Sequence, residues 1–563
     1  MSVRMINISL WTMLCLTYSV TLAEVFSSVS KIKQLIEQER QLINHLELVL
    51  NISQAKGDSD QEKIERLKKK LQNLDAANTL FQEEWNYLES PIAGFKHLKR
   101  IYEDWQDVTE SENKSENKKR NFLYDNLQSM YDVTSKWRLW PSEKDVEGAA
   151  LGLVRLSQVY NVFPVPVWLS DSAFCISNCS RHIGVQSNHV IVPLPVLGSS
   201  GCHQMNSKEK SNVLQTIYMF KTCRSKNPHV RWKEYELFSA HDLMFVARTA
   251  LGNQQKYEAR RWMQLVKTFK CRSDTVSRSL VADDTTLVDL GELEKKTLNH
   301  ADPVLDSVQT GFLSLCQRSI IQFQERKEIP ATSCLCFWTY CWPYVRYATE
   351  TVHQSPEINV YHNVLSNSEI QDLIDMALER MEPSLLPVNS KTENRTNLLR
   401  VSQTAWLYDT TEFLKRLSRR VGDITKLNSG QSDVDTPSEP FQVVNYGLGG
   451  MYAPHQDSVK VSRARGKENV PWLQHAGDRL ATWMFYLSDV TSGGATVFPA
   501  LNLSVTPIKG SAVFWYNLQQ DGSTDSRLIH GACPVLLGNK WVANKWIRET
   551  AQTFHNPCHE LRL

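Results

Sequence analysis

His455 and Asp457 are separated by one residue, so on an extended segment both side chains leave the same face. Imidazole and carboxylate are both metal donors. A further donor, His530, stands before the apolar run Val535 to Leu537, where a neighbouring strand could close the set. Two imidazoles and a carboxylate on one octahedral face suit Fe(II) and leave the opposite face free for other ligands. A His-x-Asp pair alone carries little weight, because about one should arise by chance, and a second occurs at His300 and Asp302. That second pair runs into Pro303 in a helical stretch and reads as a helix terminus. The pair at 455 differs because Lys540 follows His530 closely, on a segment where Lys540, Val542, Asn544 and Trp546 share one face. A lysine facing inward in a sheet sandwich needs an anion to offset its lost hydration. The free carboxylate of 2-oxoglutarate would meet that need, its keto-acid end chelating the metal.

These groups lie in a strand-rich region that begins near residue 355, where β-branched and aromatic runs alternate with Gly, Pro, Asn and Asp. Phe441 to Tyr446, Leu480 to Leu487, Ala512 to Tyr516 and Lys540 to Ile547 read as strands, some without strict alternation, as in a sandwich buried from both sides. The preceding half is helical. Val29, Ile32, Ile36, Ile43, Leu46 and Leu50 follow a three-four spacing broken by Glu39. After a polar break at Lys56 to Asp60 the rhythm resumes at Ile64, Leu67, Leu71 and Leu74, so two helices can fold as a hairpin or pair between chains. Val146, Ala149, Ala150, Leu153, Val154 and Leu156 outline another helix, ended by Pro164 and Pro166. Phe238 to Phe269 holds a helix pair joined at Gly252 and Asn253, the unit of a superhelical repeat, in one clear copy. Ser111 to Arg120 reads as an exposed loop, and the insert between Cys175 and Cys202 shows no assignable pattern.

At 563 residues the chain is expected to hold two to four domains. A composition of 42% hydrophobic and 22% charged residues is globular, and a net charge of +2 gives no electrostatic reason to expect nucleic acid or an anionic membrane as partner. Arg4, the apolar stretch Ile6 to Val20 and the small residues around Ala23 resemble a secretory signal peptide, and no later stretch is long and apolar enough to span a bilayer. Twelve cysteines then read as potential disulfides, including Cys175, Cys179 and Cys202, where a zinc site beside His203 is the less favoured reading. Sequons at Asn51, Asn113, Asn178, Asn394 and Asn502 fit the same compartment. The C-terminus is not a lumenal retention signal, so the protein is either secreted or held by a partner.

Several long motifs, in order, carry a family resemblance: YGLGGMYAPHQD (446–457), RLATWMFYLSD (479–489), GGATVFP (493–499) and HGACPVLLGNKW (530–541). Together they resemble the catalytic domain of the collagen-type prolyl 4-hydroxylase α subunit, a 2-oxoglutarate/Fe(II)-dependent dioxygenase. AGFKHLKR (93–100) and GAALGLVRL (148–156) resemble that family's dimerisation region, and Ser239 to Val266 its helical peptide-binding domain.

The resemblance implies an α+β multidomain chain: a signal peptide at 1–23, a coiled-coil-like dimerisation region at 24–165 and a repeat-like peptide-substrate-binding region at 166–330. A double-stranded β-helix, or jelly-roll, catalytic domain would follow at 345–563, with its core at about 438–550. It implies His455, Asp457 and His530 as iron ligands, Lys540 as the 2-oxoglutarate anchor, Tyr446 and Thr496 lining the co-substrate pocket, and Tyr452, Arg479 and Trp546 near the substrate proline. The implied activity is hydroxylation at C4 of peptidyl proline with O₂ and 2-oxoglutarate, giving 4-hydroxyproline, succinate and CO₂, with L-ascorbate restoring oxidised iron. The implied partners are collagen-like, proline-rich peptides and protein disulfide isomerase as β subunit of an α₂β₂ tetramer, which would hold the chain in the endoplasmic reticulum lumen. Cys533 and Cys558 match a family disulfide, and Cys316 is expected to pair with Cys334 or Cys336. Two departures stand out. Arg548 occupies a position where the family often has histidine, which bears on 2-oxoglutarate turnover, and Tyr257 stands alone in a helix that is tyrosine-rich in the family, which bears on substrate choice. A lysyl hydroxylase is the enzymatic alternative, against which Lys540 argues because that class commonly anchors 2-oxoglutarate through arginine. A catalytically idle peptide-binding or assembly subunit is the other.

Overall fold

The structure, a computed structural model, describes residues 28–56, 61–83, 90–109, 140–160, 162–165, 190–193, 238–268, 305–324, 335–342, 345–384, 399–430, 437–458 and 476–553, with isolated positions between them. The signal-like leader, the loop at 111–120, the insert between Cys175 and Cys202 apart from 190–193, His300 and Asp302, Cys334 and Cys558 lie outside these. No helix among the described residues is long and apolar enough to cross a membrane. The chain divides into two compact units. One comprises Ser30–Glu83 and His97–Val146; the other contains Glu84–Lys96 and everything from Glu147 onward.

In the first unit, α1 (Val29–Ala55) and α2 (Gln61–Glu83) form a hairpin within the chain. Arg40 bonds Asp75 and Thr79, while Lys68 bonds Gln54, so the cross-links run in opposite sequence directions. Glu39, which interrupts the apolar stripe, is fully buried. Arg100 on α3 (Pro91–Thr109) grips it through two hydrogen bonds of 2.9 and 2.8 Å, and Trp105 Nε1 and Asn78 Nδ2 donate at 3.1 and 2.9 Å. A carboxylate with four donors is adequately compensated in a core. The stripe is therefore broken by a built ion pair.

The second unit carries α4 (Glu143–Tyr160, from Glu147), a short antiparallel pair β1 (Val162–Val165) and β2 (Val190–Pro193), the helix pair α5 (Ala240–Gly252) and α6 (Lys256–Thr268), and α7 (Ser307–Gln324). Ser239 and Asp242 close a capping box at the start of α5.

Then follow β3 (Leu335–Trp342), β4 (Val345–Gln354), β5 (Glu357–Tyr361), α8 (Asn367–Leu378), β6 (Glu382–Pro383), β7 (Arg400–Val401), β8 (Gln403–Leu407), α9 (Glu412–Thr425), β9 (Phe441–Tyr446) and β10 (Met451–His455). The remaining strands are β11 (Arg479–Tyr486), β12 (Ser492–Gly493), β13 (Thr496–Phe498), β14 (Leu503–Val505), β15 (Ala512–Tyr516), β16 (His530–Ala532), β17 (Val535–Leu537) and β18 (Lys540–Arg548). They make a nine-stranded sheet in the order β3-β4-β5-β15-β11-β18-β9-β8-β6, a five-stranded sheet in the order β14-β13-β16-β10-β7, and the small pair β12-β17, with antiparallel neighbours throughout.

Val444, Met484, Tyr486, Val513, Trp515 and Val542 of the large sheet meet Phe498, Val505 and Ala532 of the smaller one in an inter-sheet core. The opposite face of the large sheet, with Phe441, Val443, Trp483, Phe485 and Ala543, packs on α8 and α9. Burial from both sides explains why these strands lack alternation. Arg420 of α9 pairs with Glu369 of α8 and fixes the two helices on the sheet. Leu156, Val159 and Tyr160 of α4 and Phe312, Leu315, Cys316 and Ile320 of α7 cover the smaller sheet. Cys316 is disulfide-bonded to Cys533, which corrects both expected pairings. Cys336, expected as a partner of Cys316, is an exposed thiol. Cys533 follows β16 and packs in one cluster with α7, so packing selects the distant partner over the nearer ones.

Candidate active site

The metal-capable residues converge as their spacing suggested. His455 ends β10 and His530 begins β16, and the strands pair with these two residues directly opposite. Cross-strand partners of this kind bring side chains together, and the imidazole centroids lie 4.5 Å apart. Asp457, two residues past His455, turns its carboxylate between them: Oδ1 is 3.6 Å from His455 Nε2 and Oδ2 is 3.7 Å from His530 Nε2. One donor atom from each residue falls within 4.8 Å of the other two, and no other such cluster of three exists among the described residues.

Each imidazole Nδ1 lies 3.0 Å from a backbone carbonyl, of Ala453 and Leu528 respectively. Donation there leaves both Nε2 lone pairs free and aimed at the shared space. Burial pushes the His530 imidazole down to about 4, which keeps it neutral. Burial would raise the Asp457 carboxyl, but the two imidazoles more than offset this and hold it well below the usual carboxylate range. Two imidazoles and a buried carboxylate fit a divalent first-row metal such as Fe(II), with its remaining positions open.

A chain of hydrogen bonds that the sequence did not reveal orients Asp457. Thr482 Oγ1 donates to its Oδ2 at 2.7 Å, Asn517 Nδ2 donates to Thr482 Oγ1 at 2.9 Å, and Trp515 Nε1 donates to Asn517 Oδ1 at 2.8 Å. The same Trp515 ring stands edge-on to His530, 4.9 Å between centroids. The available signal was Thr482, the one aliphatic hydroxyl within the run Leu480 to Leu487.

Lys540 opens β18 opposite Tyr446 at the end of β9. It is 1% exposed, and no carboxylate pairs with it among the described residues. Its Nζ lies 3.5 Å from Thr496 Oγ1 and 5.4 and 5.9 Å from the Tyr446 and Tyr486 ring centroids. Burial pushes its ammonium down to about 7. The structure thus brings Lys540, Tyr446 and Thr496 together in the inter-sheet space.

Tyr452 stacks on the His455 ring at 3.6 Å, and the Arg400 guanidinium, which the sequence did not single out, lies 4.8 Å over Tyr452. Arg479 rests 3.6 Å over Trp546 and is held by Glu439 through bonds of 2.6 and 2.9 Å. Trp546 faces Thr482 across the strand pair. Arg548 also reaches Glu439, at 2.5 Å, so one carboxylate serves two guanidinium groups.

Residues 28–165 match the family model described as prolyl 4-hydroxylase alpha-subunit, N-terminal region, and residues 441–548 match the 2OG-Fe(II) oxygenase superfamily. Prolyl 4-hydroxylase subunit alpha-1 of Bos taurus is 26% identical over 557 residues, covering 95% of both chains. Prolyl 4-hydroxylase subunit alpha-3 of Homo sapiens is 29% identical over 559 residues, covering 95% of this chain and 94% of its own. Among solved structures, a viral collagen prolyl hydroxylase from Paramecium bursaria Chlorella virus-1 is 25% identical over 34% of this chain and 96% of its own, with a TM-score of 0.26. With a His-Asp-His cluster inside the segment that matches the 2OG-Fe(II) oxygenase superfamily, the chain carries a 2-oxoglutarate/Fe(II)-dependent oxygenase domain and is similar to prolyl 4-hydroxylase α subunits along nearly its whole length.

Proposed function

We propose that the protein hydroxylates C4 of peptidyl proline, consuming O₂ and 2-oxoglutarate and yielding 4-hydroxyproline, succinate and CO₂. His455, Asp457 and His530 hold Fe(II), which when bound supplies the oxygen-activating chemistry. Thr482 keeps the Asp457 carboxylate turned to the metal. Lys540 binds the distal carboxylate of 2-oxoglutarate, and Tyr446 and Thr496 shape the pocket around it. Tyr452, Arg479 and Trp546 line the approach of the substrate proline.

The observation that carries this reading is Lys540 itself: an ammonium buried between two sheets, against two tyrosine rings and a hydroxyl, with no protein carboxylate among the described residues to pair with it. Such a group is costly unless a ligand supplies the charge. The test is anaerobic titration with Fe(II) and 2-oxoglutarate, followed by product analysis on a collagen-like peptide in air. Equimolar succinate and 4-hydroxyproline are expected. Hydroxylysine would favour the lysyl hydroxylase alternative, and binding without turnover the idle subunit.

The similarity to α subunits along 95% of the chain supports the remaining assignments. These are a signal peptide at 1–23, dimerisation through 24–165, peptide binding through 166–330 and catalysis within 345–563. The chain works in the endoplasmic reticulum lumen as a glycoprotein, with L-ascorbate maintaining the iron and protein disulfide isomerase as the β subunit of an α₂β₂ assembly. Expression in secretory cells without that partner should give aggregated or inactive chain, and co-expression should restore it.

A further inference from the structure

The turn Gly447 to Gly450 joins β9, which ends at Tyr446, to β10, which delivers His455. It is glycine-rich and closed by a bond from Gly450 N to Gly447 O at 3.0 Å. Glycine loses the most conformational freedom on ordering, so such a turn keeps its shape only if its surroundings hold it. Here α4 does so. Gly449 adopts φ +60°, and a Cβ there would stand 2.7 Å from the Gly152 carbonyl oxygen and 2.9 Å from the Gly152 Cα. A Cβ on Gly152 would stand 2.9 Å from the Leu448 carbonyl oxygen. The helix backbone therefore lies directly on the turn backbone. Arg155, one helical turn further on and itself buried, donates from Nε to the Gly449 carbonyl at 3.1 Å. The next carbonyl, of Gly450, is taken by Val535 N at 3.0 Å. On its other side α4 is tied to the helix pair: Ser157 Oγ donates to buried Glu258 at 2.9 Å and accepts from Trp262 Nε1 at 3.4 Å.

We propose that Arg155 is a positioning residue of the active site: from a helix far upstream in sequence it caps the Gly449 carbonyl, and so holds Tyr446 and His455 at the separation that co-substrate and metal require. The inference rests on the metal site proposed above. Without the guanidinium, the Gly449 carbonyl loses its buried donor and the turn regains alternative shapes.

Hydrogen exchange of the full chain, co-expressed with its disulfide isomerase partner, tests this without turnover, alongside Mn(II) binding as a probe of the triad. Arg155→Gln should speed exchange about tenfold in peptides covering 447–455, while those covering 512–516 stay protected, and should weaken Mn(II) binding about tenfold. Arg155→Lys, which keeps a donor, should recover part of both. Gly152→Ala favours the helix yet pushes on Leu448, and should loosen the same segment. Unchanged exchange at 447–455 in Arg155→Gln, or equal loosening at 512–516, overturns the proposal and makes Arg155 an ordinary core residue. If the parent chain fails to bind Mn(II), the metal reading fails, and the exchange comparison still decides the role of Arg155.

Discussion

Lys540 Nζ and Thr496 Oγ1 meet at 3.5 Å, so a cation buried between two sheets is held in the free protein by a hydroxyl. Tyr486 donates to the same Thr496 oxygen at 2.9 Å, and the two sheets are thereby joined at the site where a ligand carboxylate would complete the charge.

Lys540→Ala should raise the apparent KM for 2-oxoglutarate by about 10²-fold, the scale of losing a buried charged partner worth about 3 kcal/mol. Metal affinity should change far less. Lys540→Arg keeps the charge but alters shape and reach, so partial function is the upper expectation. Steady-state kinetics with 2-oxoglutarate as the varied substrate measures both, and an unchanged KM in Lys540→Ala would place the anchor elsewhere.

The pH dependence follows from the same burial. With its ammonium pushed down to about 7, Lys540 in the free enzyme is mostly neutral at pH 8, and binding the dianionic co-substrate must draw in a proton. Affinity for 2-oxoglutarate should fall by up to about tenfold per pH unit above 7. Calorimetry in buffers of different ionisation enthalpy at pH 8 should find about one proton taken up. For stability, the folded chain binds fewer protons than the unfolded chain between about 7 and the ordinary 10.5, so this group's contribution rises with pH across that window and is most unfavourable below 7. Lys540→Met should therefore stabilise the ligand-free protein at pH 6 to 7 by about 3 kcal/mol.

Replacement of His455, Asp457 or His530 by alanine should abolish 2-oxoglutarate decarboxylation with the fold intact, whereas His300→Ala should leave it unchanged. Thr482→Val removes the donor to Asp457 Oδ2 and should cost about 10–100-fold in metal affinity. Metal titration followed by circular dichroism separates these effects from misfolding, and a fully active, well-folded Asp457→Ala would refute the ligand set.

Arg100→Met should destabilise the helical unit by about 3–5 kcal/mol, because it strands the buried Glu39 carboxylate. The double variant Glu39→Met, Arg100→Met should recover much of the loss. Burial would raise the Glu39 carboxyl, yet Arg100, His97 and Asn78 together hold it below its ordinary 4.5. Its stabilising contribution is therefore present above that value and is lost as pH falls through the folded value. Thermal melts of the parent protein and the two variants between pH 3 and 7 check the order.

A peptide map under non-reducing conditions should recover a Cys316 to Cys533 cross-link. Cys316→Ser should destabilise the strand-rich unit by about 4 kcal/mol, since the loop it closes is long. A map showing Cys533 joined only to Cys558 would contradict this.

The metal-capable set was legible in the sequence because it depends on local geometry: His455 and Asp457 share a face through strand periodicity, and Lys540 faces inward through the same rule. Helices α1, α2, α4, α5 and α6 were legible for the same reason, down to the hydrophobic rhythm that Glu39 interrupts, whereas α3, α7, α8 and α9 were not read from the sequence. Distance along the chain hid the rest. Periodicity assigns a face to Glu39 but cannot name Arg100 as its partner, and it places Thr482 inside without showing that Asp457 waits there. Cys316 had nearer partners in sequence, yet the packing of α7 on the smaller sheet set it beside Cys533. Residue types and short spacings determined the chemistry of this protein; only tertiary packing decided which distant groups orient it, because such contacts depend on how whole faces bury one another and leave no period in the chain.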